Sequence, residues 1–133
     1  MDKFIKERLS KNFMLQEIID YVADYRILVV GNKVLGAIQR IPKSGEFRAN
    51  VSRGGGAKAV QKIPPRLEKL AIKATKMLDL DIAGVDFMED KKGNYLLTEV
   101  NRAPGYEGFQ KATNINVRVE ILKYLKSLIL SSS

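Results

Sequence analysis

The sequence predicts an α+β unit, an antiparallel β-sheet with flanking helices, and three observations lead to it. Residues 26–30 and 34–40 are β-rich runs on either side of the turn-like Gly31-Asn32-Lys33. Residues 82–89 and 95–101 form a second such pair around Asp90-Lys91-Lys92-Gly93-Asn94. Between the pairs, Leu67, Leu70, Ala71, Ala74, Met77 and Leu78 recur at helical spacing. Strands joined by short turn-forming links pair as antiparallel neighbours, and a 3.6-residue apolar period marks a helix that buries one face.

The remaining elements follow in chain order. Phe4-Ile5-Lys6-Glu7-Arg8-Leu9 has apolar residues at helical spacing and predicts a short opening helix. Phe13-Met14-Leu15-Gln16-Glu17-Ile18-Ile19 reads as a strand, and the first hairpin comes after it. From Pro42 to Pro65 the pattern breaks down into glycine, serine, proline and charge; long irregular stretches of this kind are often functional. Pro64-Pro65 suits the start of the central helix, because proline is pre-organised for a first turn. A loop of small residues runs from about Ala103 to about Ile115. Val117, Ile121, Leu122, Leu125, Leu128 and Ile129 then mark a closing amphipathic helix. With no internal repeat and no linker, the 133 residues read as one domain.

Composition narrows the chemistry. The chain has no cysteine and no histidine, which removes disulfides, thiolate chemistry, the commonest general base and the usual zinc ligand. Any metal is therefore held by oxygen, which favours magnesium, manganese or calcium. The net charge of +8 suits an anionic ligand or an acidic partner. Lysines and arginines are spread along the whole chain, which argues against nucleic acid as the main partner. No apolar run approaches the roughly 20 residues of a membrane span, and the start lacks a secretory h-region, so the expected location is cytoplasmic.

Three constellations could carry chemistry. Glu99 and Asn101 share a strand face, and Asp86 falls opposite Glu99 if the turn closes as an even-length loop. Two carboxylates and an amide oxygen then converge, an arrangement a hard divalent cation compensates. An odd-length loop puts Asp86 on the other face, and solvent-exposed acids on a half-buried hairpin would have the same spacing. The second constellation is Phe47-Arg48-Ala49-Asn50 with Arg53-Gly54-Gly55-Gly56. Forked guanidinium donors flank glycines there that let the backbone approach an anion, although a plain flexible loop would read similarly. The third is Gln16-Glu17-Ile18-Ile19 with Asp24-Tyr25-Arg26, a strand edge that could hydrogen-bond a purine.

Read in order, these segments resemble the ATP-grasp superfamily, and within it the RimK-type carboxylate–amine ligases. The matching residues are Gln16-Glu17-Ile18-Ile19, Asp24-Tyr25-Arg26, Leu28-Val29-Val30-Gly31, Phe47-Arg48-Ala49-Asn50 with Arg53-Gly54-Gly55, Ala83-Gly84-Val85-Asp86, and Glu99-Val100-Asn101-Arg102-Ala103-Pro104-Gly105-Tyr106-Glu107-Gly108. The resemblance implies the fold of an ATP-grasp C-terminal subdomain and a ligase that uses ATP with Mg2+ or Mn2+. Asp86, Glu99 and Asn101 would hold the metal. Glu17 and Ile18 would meet the adenine and ribose, with Asp24 at the rim of the site. Arg48 and Asn50 would contact phosphate and the reacting acyl group, Gly54 and Gly55 would admit the substrates, and Arg53 is a candidate carboxylate clamp. Pro104-Gly105 would shape the loop beside the metals.

The implied reaction joins a carboxylate to an amine, of the glutamate-adding kind, with a protein or cofactor as acceptor. The family's N-terminal domain and its lysine-bearing ATP lobe are expected to be missing, so the chain alone is an incomplete enzyme. Lys3, Lys6 and Lys11 do not fill the lysine roles. Gly56 extends the usual glycine pair, and Arg102 is bulkier than the small residue expected there. Self-association through the face left by a missing lobe is a further expectation. The alternative function is a basic module that binds an acidic peptide or RNA without catalysis.

Overall fold

The computed structural model describes residues 20–41 and 56–132. Within these residues five strands form one antiparallel sheet: β1 (Tyr21–Val30), β2 (Lys33–Ile41), β3 (Gly56–Ala59), β4 (Ile82–Asp90) and β5 (Tyr95–Asn101), in the order β3-β2-β1-β4-β5. Among the described residues three helices accompany them: α1 (Pro65–Met77), α2 (Glu107–Thr113) and α3 (Val117–Ser131). The α+β class and both hairpins agree with the sequence reading. The opening helix and the strand predicted over 13–19 lie outside the described residues.

Side chains alternate across the sheet, and the two faces are covered by different helices. Ile27, Val29, Ala37, Val85 and Phe87 pack with Leu67, Ala71 and Ala74 of α1 into one core. Leu28 and Ile38 pack on the other face with Phe109 of α2 and Val117 of α3. Proline at the first position starts α1, and its apolar face buries Leu67, Ala71 and Ala74. Met77 and Leu78, which extend the same period, are exposed at 75% and 56%. The helix ends at Met77, and Asp79 turns the chain in a left-handed conformation at φ 53°.

Two elements depart from the sequence reading. Gly56–Ala59, inside the stretch that reads as irregular, is an edge strand paired with residues 38–41 of β2. Glu107–Thr113, inside the loop of small residues, is a short helix whose Phe109 is buried. The sheet leaves room for that ring at Gly36, where an added Cβ would lie 3.1 Å from Phe109 Cζ. In α3 only Val117 is fully buried, while Leu122, Leu125 and Ile129 of the expected apolar stripe are exposed.

The first hairpin turns on two residues, with Gly31 at φ 61°, the left-handed geometry tight hairpin loops require. Gly31 also donates its N–H to Asp81 O at 2.6 Å, and Tyr124 of α3 packs over it while bonding Asp81 at 2.7 Å. At the far end of the α1 face, Tyr25 donates to Glu89 at 2.9 Å and meets Tyr95 edge-on.

Two outcomes are expected. Gly31→Ala places a Cβ 2.5 Å from Tyr124 Cε2 in a left-handed backbone, whereas Gly93→Ala at φ 79° has nothing within 4 Å. Gly93→Ala should therefore lose only the backbone share, about 1 kcal/mol, and Gly31→Ala distinctly more in urea denaturation. The Tyr25 phenol is pushed up to about 12 by burial and then by its bond to Glu89. A pKa raised above the unfolded value of 10.0 gives stability that is complete below pH 10 and lost as the pH rises through 12. Alkaline unfolding should lose that component in Tyr25→Phe.

Candidate functional site

The face that α2 and α3 cover at one end of the strands is charged at the other. Even-numbered residues of β1 point there, and the register sets Arg26 opposite Asp86 of β4 and Asp24 opposite Arg40 of β2. The side chains join. Arg26 Nε donates to Asp86 Oδ1 and Arg26 Nη2 to Asp86 Oδ2, both at 2.7 Å. Arg40 Nη1 donates to the same Oδ2 at 3.0 Å, and its Nη2 reaches Asp24 Oδ1 at 2.5 Å. Asp86 is only 2% exposed and Asp24 4%. Two buried carboxylates thus share two guanidiniums in a chain of four residues from three adjacent strands.

Electrostatics inside this chain pull in opposite directions. Burial pushes the Asp24 carboxyl above its usual range, and the bond from Arg40 partly offsets that. The bonds from Asp86 hold the Arg26 guanidinium above its ordinary value, with the nearby Glu99 charge adding to them. Arg40 Nε is buried with no hydrogen-bond partner among the described residues. A stranded donor is unfavourable by about 1–3 kcal/mol, so the two carboxylate contacts of this guanidinium outweigh the donor it leaves over.

Asp86 and Glu99 do pair across β4 and β5, by a route the turn length alone does not give. Five residues, 90–94, separate the paired Glu89 and Tyr95, an odd number that on its own would set Asp86 against Thr98. A β-bulge intervenes. Phe87 pairs with Leu97 and Asp86 with Glu99, which leaves Thr98 as the extra residue, its hydroxyl donating to Asp86 O at 3.2 Å. The bulge returns Glu99 to the face of Asp86, Arg26 and Arg40. Gly84 pairs with Asn101, whose Oδ1 accepts the Ala103 N–H at 3.0 Å. Pro104 lies against Gly84, where an added Cβ would be 2.7 Å from Pro104 Cβ. The loop after β5 is thereby laid over the strand two residues from Asp86.

The structure therefore brings Asp86, Glu99 and Asn101 together with Asp24, and adds Arg26 and Arg40, to which spacing alone assigns no role. The alternation Asp24-x-Arg26 was the available signal. Glu17, Ile18, Arg48, Asn50, Arg53, Gly54 and Gly55 lie outside the described residues. Among the described residues no group of three or more acids could hold a metal. The donor set here is two carboxylates and one amide oxygen, which suits an ion that completes its shell with water or phosphate oxygens, as magnesium does, and not an all-protein cage. Asp86 leaves room for it, since about four acceptor positions on a carboxylate meet three N–H donors.

The pairing predicts unequal responses to neutralisation. Asp86→Asn takes the charged partner from the largely buried Arg26, leaves Arg40 with Asp24 alone, and should destabilise the metal-free domain by about 3 kcal/mol. Glu99→Gln removes an exposed charge facing another acid and should change stability by less than about 0.5 kcal/mol. Urea denaturation without divalent ions checks both. An Asp86→Asn variant as stable as the parent would contradict the buried ion pair.

The chain is 42% identical over 127 residues to a probable alpha-L-glutamate ligase of Shewanella frigidimarina, covering 94% of this chain and 42% of that protein. It is 41% identical over 120 residues to a ribosomal protein bS6–L-glutamate ligase of Salmonella paratyphi B, covering 89% and 39%. The chain thus spans about two fifths of the length of these relatives. The fold matches the ATP-grasp ligase PsnB, solved with a precursor variant, Mg and ADP, at a TM-score of 0.68 and 20% identity over 84% of this chain and 34% of that one. It also matches a Chryseobacterium gregarium RiPP-associated ATP-grasp ligase solved with ADP and peptides, at 0.66 and 19%, over 89% and 36%. A model of the RimK-like ATP-grasp domain matches residues 2–125, and the chain belongs to that family.

Proposed function

We propose that this chain supplies the metal-carrying face of an ATP-dependent carboxylate–amine ligase of the glutamate-adding type. The observation that carries the reading is the pairing of Asp86 with Glu99, restored by the Thr98 bulge, on the face that also bears Asn101. The relatives support the reaction class, since two of them are named as glutamate ligases, one of them for ribosomal protein bS6.

In this reading Asp86, Glu99 and Asn101 would hold the Mg2+ or Mn2+ that accompanies ATP. When bound, the ion neutralises charge on the phosphate oxygens. An oxygen of the substrate carboxylate attacks the γ-phosphorus, ADP leaves, and an acylphosphate forms. The amine then attacks the acyl carbon, inorganic phosphate leaves, and the amine's proton is lost as the amide forms. Glu17, Ile18 and Asp24 belong to the nucleotide side of the site, and Arg48 and Asn50 to the phosphate and acyl group. The acceptor is a protein or cofactor with a free carboxylate, and glutamate is the amine. No step needs a histidine or cysteine, in keeping with a chain that has neither. The chain corresponds to the C-terminal, metal-carrying portion of an ATP-grasp domain, and a lysine-bearing lobe completes the cleft.

A second reading rests on a separate feature. Arg66, Lys69, Lys73 and Lys76 line the outer side of α1, all exposed and, among the described residues, none in an ion pair. Such a stripe suits an acidic partner, and it lies across the sheet from Asp86.

Titration with magnesium and ATP, followed by backbone amide shifts, separates the two. Shifts clustered at Asp86, Glu99, Asn101 and Arg48, and lost in Asp86→Asn/Glu99→Gln, are expected for the ligase face. Binding of an acidic peptide that weakens with salt and survives the double substitution would favour the basic module instead.

A further inference from the structure

The Asp86 carboxylate is fully oriented before any cation reaches it. Oδ2 accepts from both Arg26 and Arg40, whereas Oδ1 accepts from Arg26 alone. With about two acceptor positions per oxygen, the open one is on Oδ1. The Arg26 bond is bidentate, Nε and Nη2 on the two oxygens at 2.7 Å, so the carboxylate cannot turn about its own axis without breaking one of them. Arg40 is fixed from behind by Asp24. All four side chains stand on paired strands rather than on loops, and those of Asp24 and Asp86 are 5% and 3% exposed.

We propose that Arg26 and Arg40 are positioning residues for the cation site: they aim Asp86 so that Oδ1 is the atom offered to the ion. They also compensate the Asp86 charge, so that Glu99 can sit opposite it while no ion is bound. This rests on the reading of Asp86 and Glu99 as ligands. It adds that ion affinity is set by the guanidinium fork and not only by the acids. Partners that orient a ligand from behind typically change metal affinity by about 10–100-fold when removed.

Charge and orientation predict opposite signs, which makes the inference testable. Three carboxylates (Asp24, Asp86, Glu99) face two guanidiniums. Removing one guanidinium makes the face more negative, so a role in charge alone predicts tighter ion binding in Arg26→Gln and no change in Arg26→Lys. A positioning role predicts weaker binding in both, because neither side chain can hold both oxygens in one plane.

The experiment is a Mn2+ titration of the full chain, read as paramagnetic broadening of backbone amide signals, beside a thermal midpoint taken without metal. Arg26→Lys is expected to bind Mn2+ about tenfold more weakly than the parent while remaining folded. Arg40→Lys, which touches only Oδ2, is expected to show a smaller loss, and it carries the test if Arg26→Lys does not fold. Parent-like affinity in both lysine variants, or tighter binding in Arg26→Gln, overturns the positioning role while leaving the ligand reading intact. Broadening that is absent in the parent, or that persists in Asp86→Asn/Glu99→Gln, overturns the ligand reading and this inference with it.

Discussion

A carboxylate at the middle of a central strand is the constraint around which the sheet is arranged. Asp86 lies on β4 between β1 and β5, in a strand buried from Ala83 to Phe87. A carboxylate so little exposed is tolerated only if it is paired and hydrogen-bonded. Its partners come from β1 and β2, so both ladders must be in register before the charge is compensated. A slip of one residue along β1 would turn Arg26 into the α1 core and bring Ile27 to the acid. The ion-pair chain thus penalises wrong registers more than it adds to overall stability, and the aliphatic cores on the two faces supply the latter.

That division explains how one sheet face serves two purposes. At one end Leu28, Gly36 and Ile38 receive Phe109 and Val117; at the other Asp24, Arg26, Arg40 and Asp86 take over on the same strands. Residues two apart share a face, so Leu28 and Arg26 are neighbours and the boundary is a single step along β1. Polar groups fixed by a packed sheet hold their geometry better than groups on a loop. Pro104 against Gly84 continues the same design by seating the loop after β5 on the strand that carries Asp86.

How much of this was legible in the sequence follows from where the signals lie. Both hairpins were, because runs of apolar, β-branched and aromatic residues flank Gly31-Asn32 and Gly93-Asn94; so was α1, from Pro64-Pro65 and the Leu67, Ala71, Ala74 period. Gly56-Ala57-Lys58-Ala59 has no β-branched residue, and it is a strand only because β2 offers an edge. Glu107–Thr113 is two turns long with one buried side chain, too short for a period to show. The pairing of Asp86 with Glu99 could be posed only as a question of register. Its answer lies in a bulge at Thr98, a residue type that ordinary strands also favour. Arg26 and Arg40 stand 60 and 46 residues from Asp86, and strand order alone unites them.

The charge distribution bears on what such a face would select. Its named side chains leave one net negative charge, inside a chain that carries +8. Within about a Debye length of its surface the protein acts as a cation, and a bare divalent ion is repelled by the excess of lysines and arginines over acids. Within a few ångströms of Glu99 the field is set by the acids instead. A metal ion that arrives already bound to a polyphosphate satisfies both fields: the complex is anionic at a distance and presents its cation at contact. On the ligase reading, the basic surface and the small acidic face therefore act together, favouring the metal–nucleotide complex over either component alone.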